Sequence, residues 1–182
     1  MKKSAYLIAV TLSEHASLKI TDFRKKVFRE LGAVSALALP PVIPLAWFPE
    51  RPLVDNVPYI KSPDVVIRVG PAVRKADVLF LSIPQTPALQ VVLDWQKLFG
   101  HDEIKDDKGS MLFPVYPGIY ICSDNTVDDS NDKNKLPVNP KMEKLTINDF
   151  RLTCFMLEYQ SEKIWWEDLF YSQLWSKRVK GT

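Results

Sequence analysis

The sequence is poor in cysteine, glycine and histidine, and the cysteine count alone excludes two classes of protein. Its 182 residues contain two cysteines, six glycines and two histidines. Two cysteines make neither a disulfide framework nor a metal site, so a reducing compartment, the cytoplasm, is expected. Cys122 and Cys154 stand in apolar runs, and this setting predicts small buried thiols.

Long apolar segments and an excess of charge of one sign are also absent. No segment reaches the roughly 20 apolar residues that span a bilayer, so no membrane is expected as partner. The 24 basic and 22 acidic side chains leave a net charge of +2, which gives no strong electrostatic reason to expect nucleic acid. No glycine-rich phosphate loop or zinc spacing occurs, and no cofactor is expected.

What the chain does contain is a series of short apolar runs and two amphipathic segments. Its length and its 46% hydrophobic content predict a single domain over residues 1–182. The runs predict the order β-α-β-β-β-α-β-β-β, with a closing hairpin over residues 145–160 and 164–175 that turns near residues 162–163. This order predicts an α+β fold in which helices pack on antiparallel sheets.

Both predicted helices show start or stop signals. In the first, the apolar face ends at Gly32, a residue suited to a left-handed helix end, and the basic residues are predicted to form a solvated face. The second begins at Thr86-Pro87, where the hydroxyl is predicted to cap the helix. The apolar face of the first helix comprises Ile20, Phe23, Val27 and Leu31; its basic residues are Lys19, Arg24, Lys25, Lys26 and Arg29.

Proline in one segment and polar residues in another give two further structural predictions. Pro44, within the apolar run 36–48, predicts an edge strand or an irregular pairing. Residues 123–144 lack aromatics and predict a mobile polar loop. The acidic run 128–132 within it suggests calcium, but Lys133 and Asn139 stand where an EF-hand loop needs glycine and glutamate, so no metal is expected.

Four segments together carry a pattern known from one family. Residues 38–48 follow the first helix, residues 76–83 precede the second, residues 113–123 form the next strand, and residues 147–175 form the closing hairpin. In this order and patterning the chain resembles the two-histidine phosphoesterases, which include the bacterial RNA ligase-like RNA 2′,3′-cyclic phosphodiesterases. The resemblance implies a bilobal pair of β-α-β units, whose antiparallel sheets face a central groove with two main helices outside.

The motif positions of that family are all substituted here. Each lobe of the family supplies a His-x-Thr or His-x-Ser strand motif, and the resemblance places Val42 and Pro44 at the first and Gly118 and Tyr120 at the second. Imidazole suits general acid and base catalysis because its pKa lies near neutrality, whereas a phenol has a pKa of about 10. We therefore expect a pseudoenzyme of this fold, with no catalytic residues.

The two histidines present do not restore the motifs. His15 lies before the first helix and is followed by Ala16 and Ser17 outside any strand, and His101 follows the second helix. We expect no shared catalytic role for them.

Two other groups of residues have alternative interpretations. Four basic residues near the middle strands would contact a phosphate or form a solvated edge. The aromatic residues of the last hairpin would stack bases, pack in the core or face a protein partner. The basic residues are Lys61, Arg68, Arg74 and Lys75; the aromatic ones are Tyr159, Trp165, Trp166, Phe170, Tyr171 and Trp175.

Three functions therefore stay open at this point. The first is a non-catalytic protein that binds a nucleotide, an RNA end or a protein segment in or near the groove. The second is an active phosphodiesterase or other hydrolase that uses groove residues other than histidine. The third is a structural or interaction protein whose aromatic C-terminal hairpin packs against a partner.

Overall fold

The computed structural model describes residues 2–52, 66–75, 78–84, 86–99, 115–123, 145–147, 149–161 and 164–178. Lys61, His101 and all but the first residue of the predicted mobile loop lie outside them. The described elements are β1 (Lys3–Leu12), α1 (Glu14–Leu31), a 3-10 turn (Val34–Leu37), β2 (Val42–Phe48), β3 (Ile67–Arg68), β4 (Ala72–Lys75), β5 (Val78–Ser82), α2 (Pro87–Leu98), β6 (Gly118–Ser123), β7 (Thr146–Ile147), β8 (Phe150–Tyr159) and β9 (Phe170–Arg178). The predicted α+β class is confirmed.

Two antiparallel sheets bring the two motif segments together. The larger sheet has the strand order β2-β1-β8-β9 and the smaller one β4-β5-β6, while β3 pairs with β7. Strands β2 and β6 are edge strands of their sheets, and they contact each other. The segments that resemble the two family motifs are therefore neighbours in the fold.

Pro44 has the effect on β2 that the sequence predicts. The strand lies at the edge of its sheet, and its pairing with β1 shifts so that Ile8 pairs with Ala46 and Ala9 with Pro44. Proline has no N–H to donate to a ladder, and an extra residue on one strand at this point forms a bulge. The Pro44 carbonyl accepts a hydrogen bond of 3.0 Å from Gln96 Nε2 on α2.

Helix α1 ends as predicted, but one of its basic residues is not solvated. Gly32 has φ of 70°, and its N–H donates to the Phe28 carbonyl. Arg24, predicted to be on a solvated face, is instead only 2% exposed. Its Nε donates to the Ile121 carbonyl at 3.2 Å and its Nη1 to the Leu39 carbonyl at 2.6 Å, so the guanidinium connects α1 to β6.

Helix α2 begins where the sequence predicts, but without the predicted cap. Pro87 is its first residue and Thr86 precedes it, yet the Thr86 hydroxyl donates to the Pro84 carbonyl rather than accepting from the helix. The hydroxyl is drawn away because Pro84 offers an acceptor only two residues before it.

The buried residues form two clusters on opposite faces of the sheets. The first contains both helices and the sheet residues that face them, such as Ile8, Leu81 and Ile119. The second, here called the inter-sheet cluster, contains no residue of α1 or α2 among its described members. It comprises Ala5, Leu7, Ala9, Leu39, Val42, Trp47, Val78, Phe80, Val115, Tyr120, Phe155, Leu157, Tyr159 and Trp165, with Ala38, Tyr116, Trp166 and Leu169 partly buried. The sheet faces that supply it are called the inner faces below.

One strand of the described residues is not predicted by the sequence, and further predictions have outcomes there. Strand β4 is not predicted by the sequence, because Ala72–Lys75 lacks an apolar run. The last strand begins at Phe170 rather than at Ile164, since residues 164–167 form a turn. Cys122 and Cys154 are buried, as predicted, and form no disulfide with each other. No helix in the described part of the chain is both long and apolar enough to cross a membrane.

Candidate functional site between the two sheets

The first motif segment points its two key positions to the inner face. Ile43 and Leu45 pack with the helices, so strand alternation places Val42 and Pro44 on the opposite side. Val42 is fully buried in the inter-sheet cluster, and Pro44 is buried as well. An aliphatic side chain and an imino acid therefore occupy the face from which a histidine and a hydroxyl would reach a substrate.

The second motif segment behaves in the same way. Ile119 and Ile121 face the helices, whereas Tyr120 belongs to the inter-sheet cluster together with Val42. The structure thus brings the equivalent positions of both motifs to one cluster. The register used in the sequence analysis for Gly118 and Tyr120 is consistent with this alternation.

The Tyr120 hydroxyl is buried and hydrogen-bonded. It donates to Ser123 Oγ at 3.1 Å, and the Ser123 N–H donates to Ser35 Oγ at 3.0 Å. Burial raises the pKa of the phenol well above its usual value near 10, and the Ser123 hydroxyl, which can donate to the phenolate, only partly offsets this. Tyr120 therefore stays protonated at neutral pH and cannot act as a general base.

An aromatic side chain from the last hairpin covers Tyr120. The Trp165 ring lies 6.4 Å from the Tyr120 ring between centroids, and Trp165 itself is 3% exposed. Trp166 packs on Trp165 edge to face, with 5.6 Å between centroids. Of the alternatives for the hairpin aromatics, core packing thus describes Trp165, whereas Phe170 and Tyr171 are 59% and 41% exposed on β9.

Gly118 is tightly packed rather than open. A Cβ added there would lie 2.5 Å from Phe80 Cδ2 and 2.6 Å from the Leu81 carbonyl oxygen. The Phe80 ring is also stacked on Tyr116, with 5.2 Å between centroids. A histidine at this position would therefore require both a ring and the β5 backbone to move.

The predicted cationic contacts do not converge on the inner face. Arg68 is exposed on the short strand β3, next to residues that pack with the helices. Arg74 pairs with Leu79, which also faces the helices, and its buried Nε has no hydrogen-bond partner among the described residues. Lys75 pairs with Val78 on the inner face, and its Nζ lies 4.9 Å from the centre of the Tyr116 ring.

A set of polar side chains that the sequence analysis did not single out lies on the inner face of the larger sheet. Arg151 Nε donates to Ser176 Oγ at 2.8 Å, the hydroxyls of Ser176 and Thr153 lie 3.1 Å apart, and those of Thr153 and Thr11 lie 2.9 Å apart. We call Thr11, Thr153, Ser176 and Arg151 the hydroxyl chain. Only strand register brings these four residues together, so their spacing in sequence gives no signal for it.

Known structures resemble this fold over nearly the whole chain. E. coli LigT in complex with NADP+ matches at a TM-score of 0.62 and 14% identity, covering 98% of this chain and 99% of LigT. LigT with 3′-AMP and a structure described as a phosphoesterase each match at 0.62 and 14%, covering 97% of this chain and 98% of theirs. The chain has the LigT fold. The predicted fold resemblance is confirmed.

The similarity to LigT is one of structure and not of sequence. No protein-family model matches the chain, and no curated protein matches it. The only described histidine, His15, is exposed at the start of α1, away from the inner faces. In the part of the chain that the structure describes, no group of three or more His, Cys, Asp or Glu could hold a metal ion.

Proposed function

We propose that this protein is a non-catalytic relative of the two-histidine phosphoesterases, acting as one domain over residues 1–182, that binds a nucleotide or an RNA end in or near the groove between its two sheets. The observation that carries the proposal is the burial of Val42 and Tyr120 in one apolar cluster. The family resemblance places a motif histidine at Val42 and a motif hydroxyl at Tyr120, and neither position now carries an imidazole.

The inter-sheet cluster is chemically unsuited to acid–base catalysis. Hydrolysis by the family's route needs one group that accepts a proton from water and another that donates one to the leaving oxygen, each with a pKa near 7. Tyrosine is the only titratable residue type among the described members of the cluster. The raised pKa of Tyr120 moves it further from that requirement.

Nucleotide binding is the part of the proposal that rests on the fold match. LigT structures are described in complex with 3′-AMP, ATP and NADP+. A surface can keep affinity for a phosphate ester after its catalytic groups are lost, because binding needs only hydrogen-bond donors and positive charge.

One experiment with two readouts tests both parts. Calorimetric titration with 3′-AMP and ATP should detect binding, while phosphorus NMR should detect no turnover of 2′,3′-cyclic AMP above the buffer control. Turnover that falls in Val42→Ala or Tyr120→Phe would overturn the non-catalytic part and favour a hydrolase with groove residues other than histidine. Absence of binding to both nucleotides would overturn the binding part.

A second candidate function is interaction with a protein through the last hairpin. Phe170 and Tyr171 expose large apolar surfaces on β9, which is an edge strand of the larger sheet. Light scattering after size-exclusion chromatography tests self-association through this strand. If the wild type is a monomer at high concentration and Phe170→Ser has the same mass, self-association through β9 is contradicted.

The proposed compartment is the cytoplasm. It is supported by the two buried cysteines, Cys122 and Cys154, which form no disulfide with each other. Labelling of both thiols in denatured protein taken directly from cells is the expected result, and protection of either one from the label would contradict it.

A further inference from the structure

The hydroxyl chain has a defined direction of hydrogen bonding. Arg151 Nε can only donate, so Ser176 Oγ accepts and its own proton is available for Thr153. Thr153 then donates to Thr11, and the Thr11 hydroxyl donates to the Arg151 carbonyl at 3.3 Å. Each of the three hydroxyl groups in the hydroxyl chain therefore has hydrogen-bond partners, and this series of hydrogen bonds begins and ends on Arg151.

This chain of bonds fixes the Arg151 side chain against the sheet. Thr153 is fully buried, so its hydroxyl depends on its two neighbours in the chain. Arg151 Nη2 also reaches the Ser176 carbonyl, at 3.5 Å, while Nη1 has no hydrogen bond among the described residues. The guanidinium is therefore held along one edge, and its Nη1 donors remain available.

Strand register aligns Arg151 with the first motif position. Val42 on β2 pairs with Thr11 on β1, Thr11 pairs with Arg151 on β8, and Arg151 pairs with Arg178 on β9. Directly paired residues point to the same side of a sheet. These residues thus form one row across the inner face, from the buried Val42 to the exposed Arg178.

The end of this row places two arginines at directly paired backbone positions, with the Arg151 guanidinium against Ser176 and that of Arg178 against Asp149. Like charges at paired positions of an antiparallel sheet are unfavourable, so Arg151 and Arg178 repel in the free protein. Arg178 Nε is 3.4 Å from Asp149 Oδ1, whereas Arg151 has no ion pair among the described residues. Arg151, Arg178 and Asp149 thus form a corner of the inner face with two cations and one carboxylate. An anion bound there would relieve the repulsion between the two arginines.

We propose that Arg151 and Arg178 bind the phosphate group of the ligand at this corner of the inner face. The inference rests on the proposed function and deepens it, because it names the residues that hold the phosphate. Val42 and Pro44 offer no donor, and the nearest cations along the same sheet face lie on β8 and β9. A guanidinium that is already fixed loses little freedom on binding, and its planar set of donors suits phosphate.

Charge-matched variants test this assignment. Binding of inorganic phosphate and of ATP is measured by calorimetry for the wild type, Arg151→Gln, Arg178→Gln and the control Lys177→Gln. Lys177 is exposed and adjacent to Arg178, but it pairs with Leu152 on the helix side and its Nζ lies over Trp175. Loss of an arginine that contacts phosphate should weaken binding roughly tenfold. The control should change it less than about twofold, since only long-range attraction is lost.

The outcomes separate this inference from the proposed function. If ATP binds and both arginine variants keep wild-type affinity, or Lys177→Gln weakens binding as much as they do, the inference fails while the proposed function stands. If phosphate binds in a manner that depends on Arg151 but nucleotides bind no better than phosphate, the inference stands and nucleotide recognition fails. If neither binds to the wild type, both fail. Arg151→Lys, which keeps the charge without the planar donors, should recover only part of the affinity.

Discussion

The indole ring of Trp165 lies against the phenol ring of Tyr120, with 6.4 Å between their centroids and 44° between their planes. The contact joins the turn of the last hairpin to the strand that carries the second motif segment. It means that an internal side chain covers the position from which a motif hydroxyl would reach a substrate. The inter-sheet cluster thereby has a structural role at the place where the family resemblance implies a catalytic one.

Replacement of Trp165 by alanine should strongly destabilise the protein. The side chain is 3% exposed, and its removal leaves a large cavity beside Tyr120. We expect the free energy of unfolding to fall by about 3 kcal/mol, measured by urea denaturation. Trp166→Ala is the matched control, because Trp166 is only partly buried, and it should cost about 1 kcal/mol. Equal effects of the two variants would contradict the assigned role of Trp165.

Introducing a side chain at Gly118 should also destabilise the protein. In Gly118→Ala the new Cβ would meet Phe80 Cδ2 at 2.5 Å and the Leu81 carbonyl at 2.6 Å, and the latter is backbone. We expect a loss of about 2 kcal/mol in urea denaturation. Gly32→Ala provides the comparison: it has open space but φ of +70°, so its cost of about 1 kcal/mol is conformational. A neutral Gly118→Ala would show that the second motif position is free to accept a side chain.

The sequence predicts those features of the fold that depend on local chemistry. Gly32 ends α1 because glycine readily adopts φ of +70°, and Pro44 disturbs the pairing of β2 because it lacks an N–H. Alternation also predicts that Val42 and Pro44 share one face of β2, and that Gly118 and Tyr120 share one face of β6. Each of these inferences needs information from only a few neighbouring residues.

What the sequence could not supply is long-range register. Helical spacing does place Arg24 near Ile20 and Val27, but its burial depends on a bulge in β6, where Ile121 is the extra residue between the pairs Leu79–Cys122 and Phe80–Tyr120. The hydroxyl chain likewise exists only because β1, at the other end of the sequence, pairs with the β8–β9 hairpin in one register. The segment 164–175 is predicted as one strand, yet residues 164–167 form a turn that places Trp165 in the inter-sheet cluster.

Arg24 should contribute to stability through its hydrogen bonds rather than through solvation. Arg24→Met removes the donors to the buried carbonyls of Ile121 and Leu39. It also removes the desolvation cost of a cation whose Nη2 has no hydrogen-bond partner in the described part of the chain, and burial lowers the pKa of Arg24 to about 10. Since unsatisfied carbonyls outweigh that relief, we expect a net loss of about 2 kcal/mol in urea denaturation. Arg29→Met, at an exposed site on the same helix, should change stability by less than about 0.5 kcal/mol.

The buried thiol of Cys154 should make stability depend on alkaline pH. Burial raises its pKa from 9.0 to about 11 in the folded protein, so the unfolded chain loses this proton first as the pH rises. Stability is therefore constant with respect to this group below pH 9 and decreases from there towards pH 11. Between pH 9 and 10 we expect a decrease of about 1 kcal/mol, and this part of the pH dependence should be missing in Cys154→Ala. The interval stops at pH 10 because Tyr120 contributes a decrease of the same sign above it. Parallel curves for the two proteins would show that the thiol is not the cause.

Asp149 should oppose anion binding at the corner formed by Arg151 and Arg178. Its carboxylate lies 3.4 Å from Arg178 Nε, where it both neutralises one cation and repels an incoming phosphate. In Asp149→Asn the repulsion is removed and Arg178 is released, so affinity for inorganic phosphate should rise about threefold to tenfold at low salt and less at high salt. Asp22→Asn is the matched control, since Asp22 is an exposed carboxylate that pairs with Lys25 on α1 at a similar distance of 3.6 Å. A gain in affinity of the same size in both variants would mean that overall charge, rather than this corner of the sheet, determines phosphate binding.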